Sequence, residues 1–183
     1  MADSLYAKKA TPQITTGDWT TVNDAYDATK PFNGAQNDLG SAWFVRDSSG
    51  RLKKLRYVRL SGTGTIDSTT IPGVVYWKDN TFQVVTPTLS EAVTGKQNMV
   101  AGFLLNASAT NGNFVFIQVG GFLSQAYAPV STAVDDSMIG AAGAFTLARV
   151  AAGTASTYRP VAIALTAVAS TKSDMFVCVE PME

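Results

Sequence analysis

Val100-Ala101-Gly102-Phe103-Leu104-Leu105 and Phe114-Val115-Phe116-Ile117-Gln118-Val119, joined through a polar tip over residues 106–113, decide the fold class. Each is a short apolar run rich in β-branched or aromatic side chains, and such side chains pack well on a pleated surface. Two such runs across a turn-forming segment read as a β-hairpin. The same text returns sixty-one residues later as Val161-Ala162-Ile163-Ala164-Leu165-Thr166, a loop of equal length, and Met175-Phe176-Val177-Cys178-Val179. Val, Ala, Leu and Thr coincide at 100/161, 101/162, 104/165 and 110/171. Two copies are too few for a solenoid or propeller, so the echo implies pseudo-symmetry inside one β-domain.

Upstream, the rhythm is similar. Ala42–Arg46 is followed by the turn Asp47-Ser48-Ser49-Gly50 and then by Arg51–Leu60. Gly73–Trp77 faces Thr81–Val85 across Lys78-Asp79-Asn80, which is hairpin text. Thr88–Thr94 is the one plausible helical turn, with Gly95 as its stop. The Ala-rich stretch between the echoes is interrupted by Gly140, Gly143 and Gly153 and sustains no period near 3.6, which argues against helix. Residues 1–40 differ: Asp and Asn abound, aliphatics are sparse, and no period holds. Yet four aromatics, Tyr6, Trp19, Tyr26 and Phe32, are spaced along them. Disordered tails are poor in aromatics, so this stretch reads as an arm with anchors that orders against a neighbouring chain. The expectation is a mainly β protein, a small β-sandwich or barrel-like domain with an extended N-terminal arm. Its parts are the arm over 1–40, a β-hairpin region over 41–95 and a closing β-domain over 96–183.

Composition narrows the chemistry. Of 183 residues, 46% are hydrophobic and 15% charged; 14 basic residues balance 14 acidic ones, with no histidine and one cysteine. A Ser-His-Asp triad, a Cys-His dyad and a His or multi-Cys metal site are excluded within one chain. Neither a catalytic role nor a metal or cofactor is expected. Zero net charge gives no general attraction to nucleic acid or to an anionic membrane, and neither is expected as a partner. The start, MADSLYAKKA, has no apolar signal region, and the most apolar run, Val161–Ala169, is far short of the ~20 residues of a membrane helix. The chain is expected to be made in a cytosol and to stay soluble. Cys178, between two valines, reads as a small core hydrophobe.

Other candidates weaken on inspection. The Asp135-Asp136 pair has the composition of a turn as well as of an acid–base pair. Ser61-Gly62-Thr63-Gly64-Thr65 and Gly95-Lys96-Gln97 lack the phosphate-cradling pattern. The Asp/Asn-rich arm lacks the spacing of a Ca²⁺ loop. The charge concentration is basic: Arg46, Arg51, Lys53, Lys54, Arg56 and Arg59, interleaved with Trp43, Phe44 and Tyr57. Three readings are open: a solvated strand face, a contact for an acidic partner protein, or a nucleic-acid strip.

From Val100 onward the order of pieces resembles the small β-domain of tailed-bacteriophage capsid decoration (cement) proteins. The features that carry it are the Val100–Leu105 strand, the Phe114–Val119 strand ending at Gly120-Gly121-Phe122, the Ile139-Gly140 turn, Phe145–Val150, and the closing Val161–Leu165 and Met175–Val179 hairpin. The sequence departs at Ser173, where the first hairpin has Gly112, and in its long N-terminal half. The resemblance implies a non-enzymatic virion protein on the outer capsid surface that bridges neighbouring major capsid subunits, often as a homotrimer. Tyr6, Trp19, Tyr26, Phe32, Arg51, Lys53, Lys54 and Arg56 are then the expected capsid contacts. An alternative is a receptor- or carbohydrate-binding module of a fibre or head appendage, with Trp19, Trp43 and Trp77 stacking on sugar rings.

Overall fold

The computed structural model describes residues 39–47, 49–63, 70–93, 99–105, 109–168 and 170–180; the expected arm and its four aromatic anchors lie outside these residues. The protein is mainly β. Among the described residues ten strands form one sheet: β1 (Ala42–Arg46), β2 (Leu52–Leu60), β3 (Gly73–Trp77), β4 (Val84–Thr86), β5 (Val100–Leu104), β6 (Phe114–Tyr127), β7 (Ser137–Gly140), β8 (Leu147–Val150), β9 (Ala162–Ala164) and β10 (Lys172–Cys178). The helical turn expected over 88–94 is a single 3₁₀ turn, Leu89–Glu91.

The strand order is β1-β2-β4-β3-β5-β6-β10-β9-β7-β8, and β2 also pairs with β6. That extra pairing closes β2, β4, β3, β5 and β6 into a five-stranded ring. Only β2–β4 is parallel in it, with Arg59 opposite Val84 and Leu60 opposite Val85. The ring joins the stretches either side of residue 95, because β2 pairs with β6 and β3 with β5.

Successive side chains on a strand point to opposite faces, and both faces are buried here. One core takes residues from all five ring strands, including Val58, Leu60, Val75, Trp77, Val85, Leu104, Val115 and Ile117, with Phe145 added from a loop. It fills the ring. The second core takes the opposite parity, such as Leu55, Tyr57, Tyr76, Phe103 and Phe116, and joins it to Leu123, Met138, Leu147, Ala162, Ala164, Met175 and Val177. It lies between the outer wall of the ring and a layer formed by the second half of β6 with β10, β9, β7 and β8. Tyr76 fastens the two layers: its hydroxyl donates to the Ala141 carbonyl (2.8 Å) and accepts from the Ala141 N–H (2.9 Å). Burial pushes this phenol up to about 12, so it stays protonated at neutral pH.

β6 serves both cores. The sequence suggests that its apolar run stops at Gly120-Gly121, but the strand continues to Tyr127. The glycines instead mark a register shift, where β2 moves from pairing Lys54 with Gly120 to pairing Leu55 with Gln118. Gly121 has φ +87°, and a Cβ there would overlap the Leu52 carbonyl. Gln118, fully buried, donates its amide to the carbonyls of Gly120 (3.1 Å), Gly121 (3.2 Å) and Phe122 (2.9 Å). A buried carbonyl without a donor is costly, and this side chain supplies N–H groups to the carbonyls at the shift.

The internal echo survives as topology. β5–β6 and β9–β10 are both antiparallel pairs, and they lie back to back through the β6–β10 contact. Their registers differ. Phe103 faces Gln118 in the first pair, whereas Met175 faces Ala164 in the second, four positions from the equivalent alignment.

Gly121→Ala should lower stability by about 2–4 kcal/mol, from the disfavoured φ and the displaced Leu52 backbone. Gln118→Leu should cost roughly 1–3 kcal/mol, by removing the amide N–H groups directed at the carbonyls of the bulge. Denaturant midpoints of the purified variants measure both; midpoints equal to that of the parent would contradict this account of the bulge.

Candidate interaction surface

Within the expected basic strip, Asp47 and Glu180 each engage two of the basic side chains. Asp47, in the β1–β2 turn, accepts from the Arg51 backbone N–H and Nε (both 2.9 Å) and lies 3.6 Å from Lys53 Nζ. Partial desolvation pushes the Asp47 carboxyl up, but these hydrogen bonds and the Lys53 charge outweigh it and hold it below its ordinary value. Lys53 is buried, and desolvation lowers its pKa. Lys54 and Arg56 share Glu180, at 3.3 Å and 2.6 Å. Arg56 also donates to the Gly40 carbonyl at 2.5 Å. The four basic residues expected to contact a partner are thus brought together, but as two ion-paired groups rather than an open cationic stripe. Glu180, 124 residues from Arg56, carries no local signal that could have announced this pairing.

What the face presents instead is apolar. Residues directly opposite on antiparallel strands share a face. Phe122 on β6 faces Phe176 on β10, Phe176 faces Ile163 on β9, Ile163 faces Ser137 on β7, and Ser137 faces Val150 on β8. The row therefore crosses five strands on the side away from the second core. Phe176 is 42% exposed and Ile163 37%. A neighbouring row holds Phe44, Lys54, Gly120 and Cys178, and Phe44 is 46% exposed. Cations sit on the rings: Arg51 lies 3.6 Å from the Phe122 centroid and Lys54 Nζ 5.6 Å from that of Phe44. Asp174, which accepts from Ser124 Oγ (3.1 Å) and the Gln125 N–H (2.9 Å), forms a polar rim. An apolar centre with a polar rim is the anatomy of a protein–protein interface. The sequence reading missed this row, since it placed 122, 163 and 176 only as strand residues.

At the β8 end lies an open cleft of about 390 Å³, lined by residues including Ile139, Arg149, Val150 and Tyr158. Asp136 accepts from the N–H groups of Ala133 (2.6 Å) and Ala152 (3.1 Å) and pairs with the cleft residue Arg149 at 2.5 Å. The hydrogen bond from Ala133 leads in holding its carboxyl below the ordinary value. Asp135 sits beside it in a turn with φ +67°. The carboxylate pair therefore builds a turn and pins the β7–β8 hairpin.

The remaining candidates resolve similarly. Trp43 packs edge-on against Tyr57 and Phe116, and Trp77 is a ring-core residue. Cys178 is half-buried on the outer face, rather than in the core as its neighbours suggest, and burial raises its pKa. At the glycine-rich segment, the Glu91 carboxylate accepts from the hydroxyls of Thr63 and Thr86 and pairs with Lys78 at 3.3 Å. An anionic group there opposes phosphate binding; Gly64, Thr65 and Gly95-Lys96-Gln97 lie outside the described residues. Among the described residues, no group of three or more His, Cys, Asp or Glu is placed to hold a metal ion, and no helix is long and apolar enough to cross a membrane.

The Thr63 hydroxyl bond leads in depressing Glu91 from 4.5 to about 2. A depressed carboxyl adds stability above its unfolded value, and that stability is lost as pH falls through the folded one. Acid unfolding of the parent should therefore steepen between pH 4.5 and 2, and Glu91→Gln should flatten that limb, as followed by circular dichroism. No family model, curated protein or solved structure matches this chain.

Proposed function

We propose that this protein is a structural component of a phage virion, which binds the outside of the capsid and stabilises it by bridging major capsid subunits. The observation that carries an assembly role is the cross-strand row Phe122–Phe176–Ile163, with Phe44 beside it and ion-paired or hydrogen-bonded polar groups at its margin. Large apolar side chains aligned on an exposed face suit burial against another protein better than turnover of a small substrate. The capsid as partner, and a homotrimer as the decorating unit, rest on the resemblance drawn from the sequence. The carbohydrate-binding alternative draws less support, because Trp77 is buried in the ring core and Trp43 packs, partly buried, against Tyr57 and Phe116, while Trp19 lies outside the described residues.

Co-sedimentation with phage heads that lack the protein tests this reading. The parent should bind them and raise their resistance to heat or chelator. Phe176→Asp, which alters a side chain 42% exposed and outside both cores, should keep the parent's circular dichroism and thermal midpoint within a few degrees yet lower head binding at least tenfold. Undiminished binding by a folded Phe176→Asp protein would remove the row from the proposal. Failure of the parent to bind any head would remove the capsid.

A further inference from the structure

We propose that copies of this chain join head to tail through their sheet edges: β8 of one copy takes β1 of the next as a parallel strand, with Phe44 of the incoming strand seated in the cleft beside Val150. The inference takes up the self-association in the reading above and rests on that part alone, not on the capsid.

Backbone bonding defines the two edges. On β1, Ser41 accepts from the Tyr57 N–H and Asp47 donates to the Arg51 carbonyl. Bonding alternates along an antiparallel pair, so Ala42, Phe44 and Arg46 turn their N–H and C=O groups away from β2. On β8, the Thr146 carbonyl accepts from Ala141, so Ala148 and Val150 bond β7 while Leu147 and Arg149 turn their groups outward. Among the described residues no strand lies beyond either edge. An edge with open donors and acceptors is a template for a further strand.

Direction and face then select the pairing. The path from β1 through β2, β6, β10, β9 and β7 to β8 takes six antiparallel steps, so β8 runs the same way as β1. Phe44 and Val150 both lie on the outer face. In a parallel ladder, a residue that turns its groups toward the neighbouring strand bonds the two residues flanking the one opposite. Phe44 of the incoming copy therefore stands opposite Val150, donating to the Arg149 carbonyl and accepting from the Ala151 N–H, with the apolar faces of both copies on one side. Antiparallel pairing of the same edges would set outward-turned residues opposite each other and put the two apolar faces on opposite sides.

Shape and charge agree. The cleft, about 390 Å³, is lined by Ile139, Val150 and Tyr158 among others. Phe44 is 46% exposed in its own copy, and a strand about 4.8 Å beyond β8 brings its ring to the cleft. Arg46, exposed at the C-terminal end of β1, then comes to Ala152, whose N–H is held by Asp136. Asp136 is already paired with Arg149, and its exposed neighbour Asp135 is the acid that meets Arg46. A contact that repeats in one direction without reversing builds a ring when its rotation closes, and the homotrimer is that ring with three members.

Cysteine trapping tests the register. Ala42 lies opposite Ala148 of the adjoining copy in this arrangement, whereas within one copy they sit on the two end strands of the sheet. In the full chain carrying Cys178→Ser, Ala42→Cys and Ala148→Cys together should give, on mild oxidation, disulfides between 42 and 148 of different copies and covalent products that stop at three chains. Either new cysteine alone should link no chains. Light scattering should find the parent a trimer, Phe44→Asp a monomer with the parent's circular dichroism, and Phe176→Asp still a trimer. A monomeric parent, 42–42 or 148–148 linkage, or covalent products that stop at two chains or run past three would overturn the inference. So would a trimer that survives Phe44→Asp or is lost in Phe176→Asp. All of these readouts use purified protein without heads, so failure here leaves the capsid reading standing, and failure to bind heads leaves this one standing.

Discussion

The β2–β6 ladder is the contact on which the rest of the structure depends. Leu55 to Arg59 run antiparallel to Gln118 to Phe114, and this pairing closes the five-stranded ring. Without it, β2 would be held only by short β4 and edge strand β1, and the residues of the ring core would line an open sheet. The same ladder sets the second core, because Tyr57 and Phe116 face each other on the outer wall, Trp43 packs edge-on against both, and Phe114 stacks on Tyr57. Closing a sheet removes two of its edges, and among the described residues β1 and β8 end it.

That closure also explains the outer face. Once β6 has turned through its bulge, its second half and β10 have their inner side committed to Leu123, Met175 and Val177. The opposite parity, Phe122, Phe176 and Ile163, must then point outward, and one apolar residue on each of three adjacent strands becomes a row. The ion pairs around Glu180 and Asp47 spend the nearby basic charge on fixing the β1–β2 hairpin and the end of β10.

Much of this was legible in the residues. The strand runs of β2, β3, β5 and β10 are bounded by turn residues and rich in branched and aromatic side chains, and the 100/161 echo marks two antiparallel pairs, though not their placement side by side. Local text failed where geometry is non-local. Gly120-Gly121 looks like a stop because glycine usually punctuates a strand, yet here it admits the Leu52 backbone, and the residue that makes this bearable, Gln118, is marked by nothing in the sequence. Thr81-Phe82-Gln83 reads as strand but forms the turn, since Phe82 takes φ +56° and packs on Trp77. The outer row was invisible for another reason: it needs the strand order β6-β10-β9, which no single segment encodes. The basic cluster was visible, but its pairing with Glu180 was not.

The distance in sequence between β2 and β6 has a consequence in time. At about 5–20 residues per second, a ribosome needs several seconds after making Leu60 to deliver Phe114–Gly121, and Glu180 follows later still. Over that interval Leu55, Tyr57 and Val58 have β1 beside them but lack their β6 partners, and neither core can be completed. Loop closure over some sixty residues must be completed before the pairing returns any free energy, which places this chain among slow folders. Slow closure with bare strands invites capture by neighbouring nascent copies, so yield in the producing cell is set by synthesis rate and chaperone supply as much as by the stability of the finished sheet.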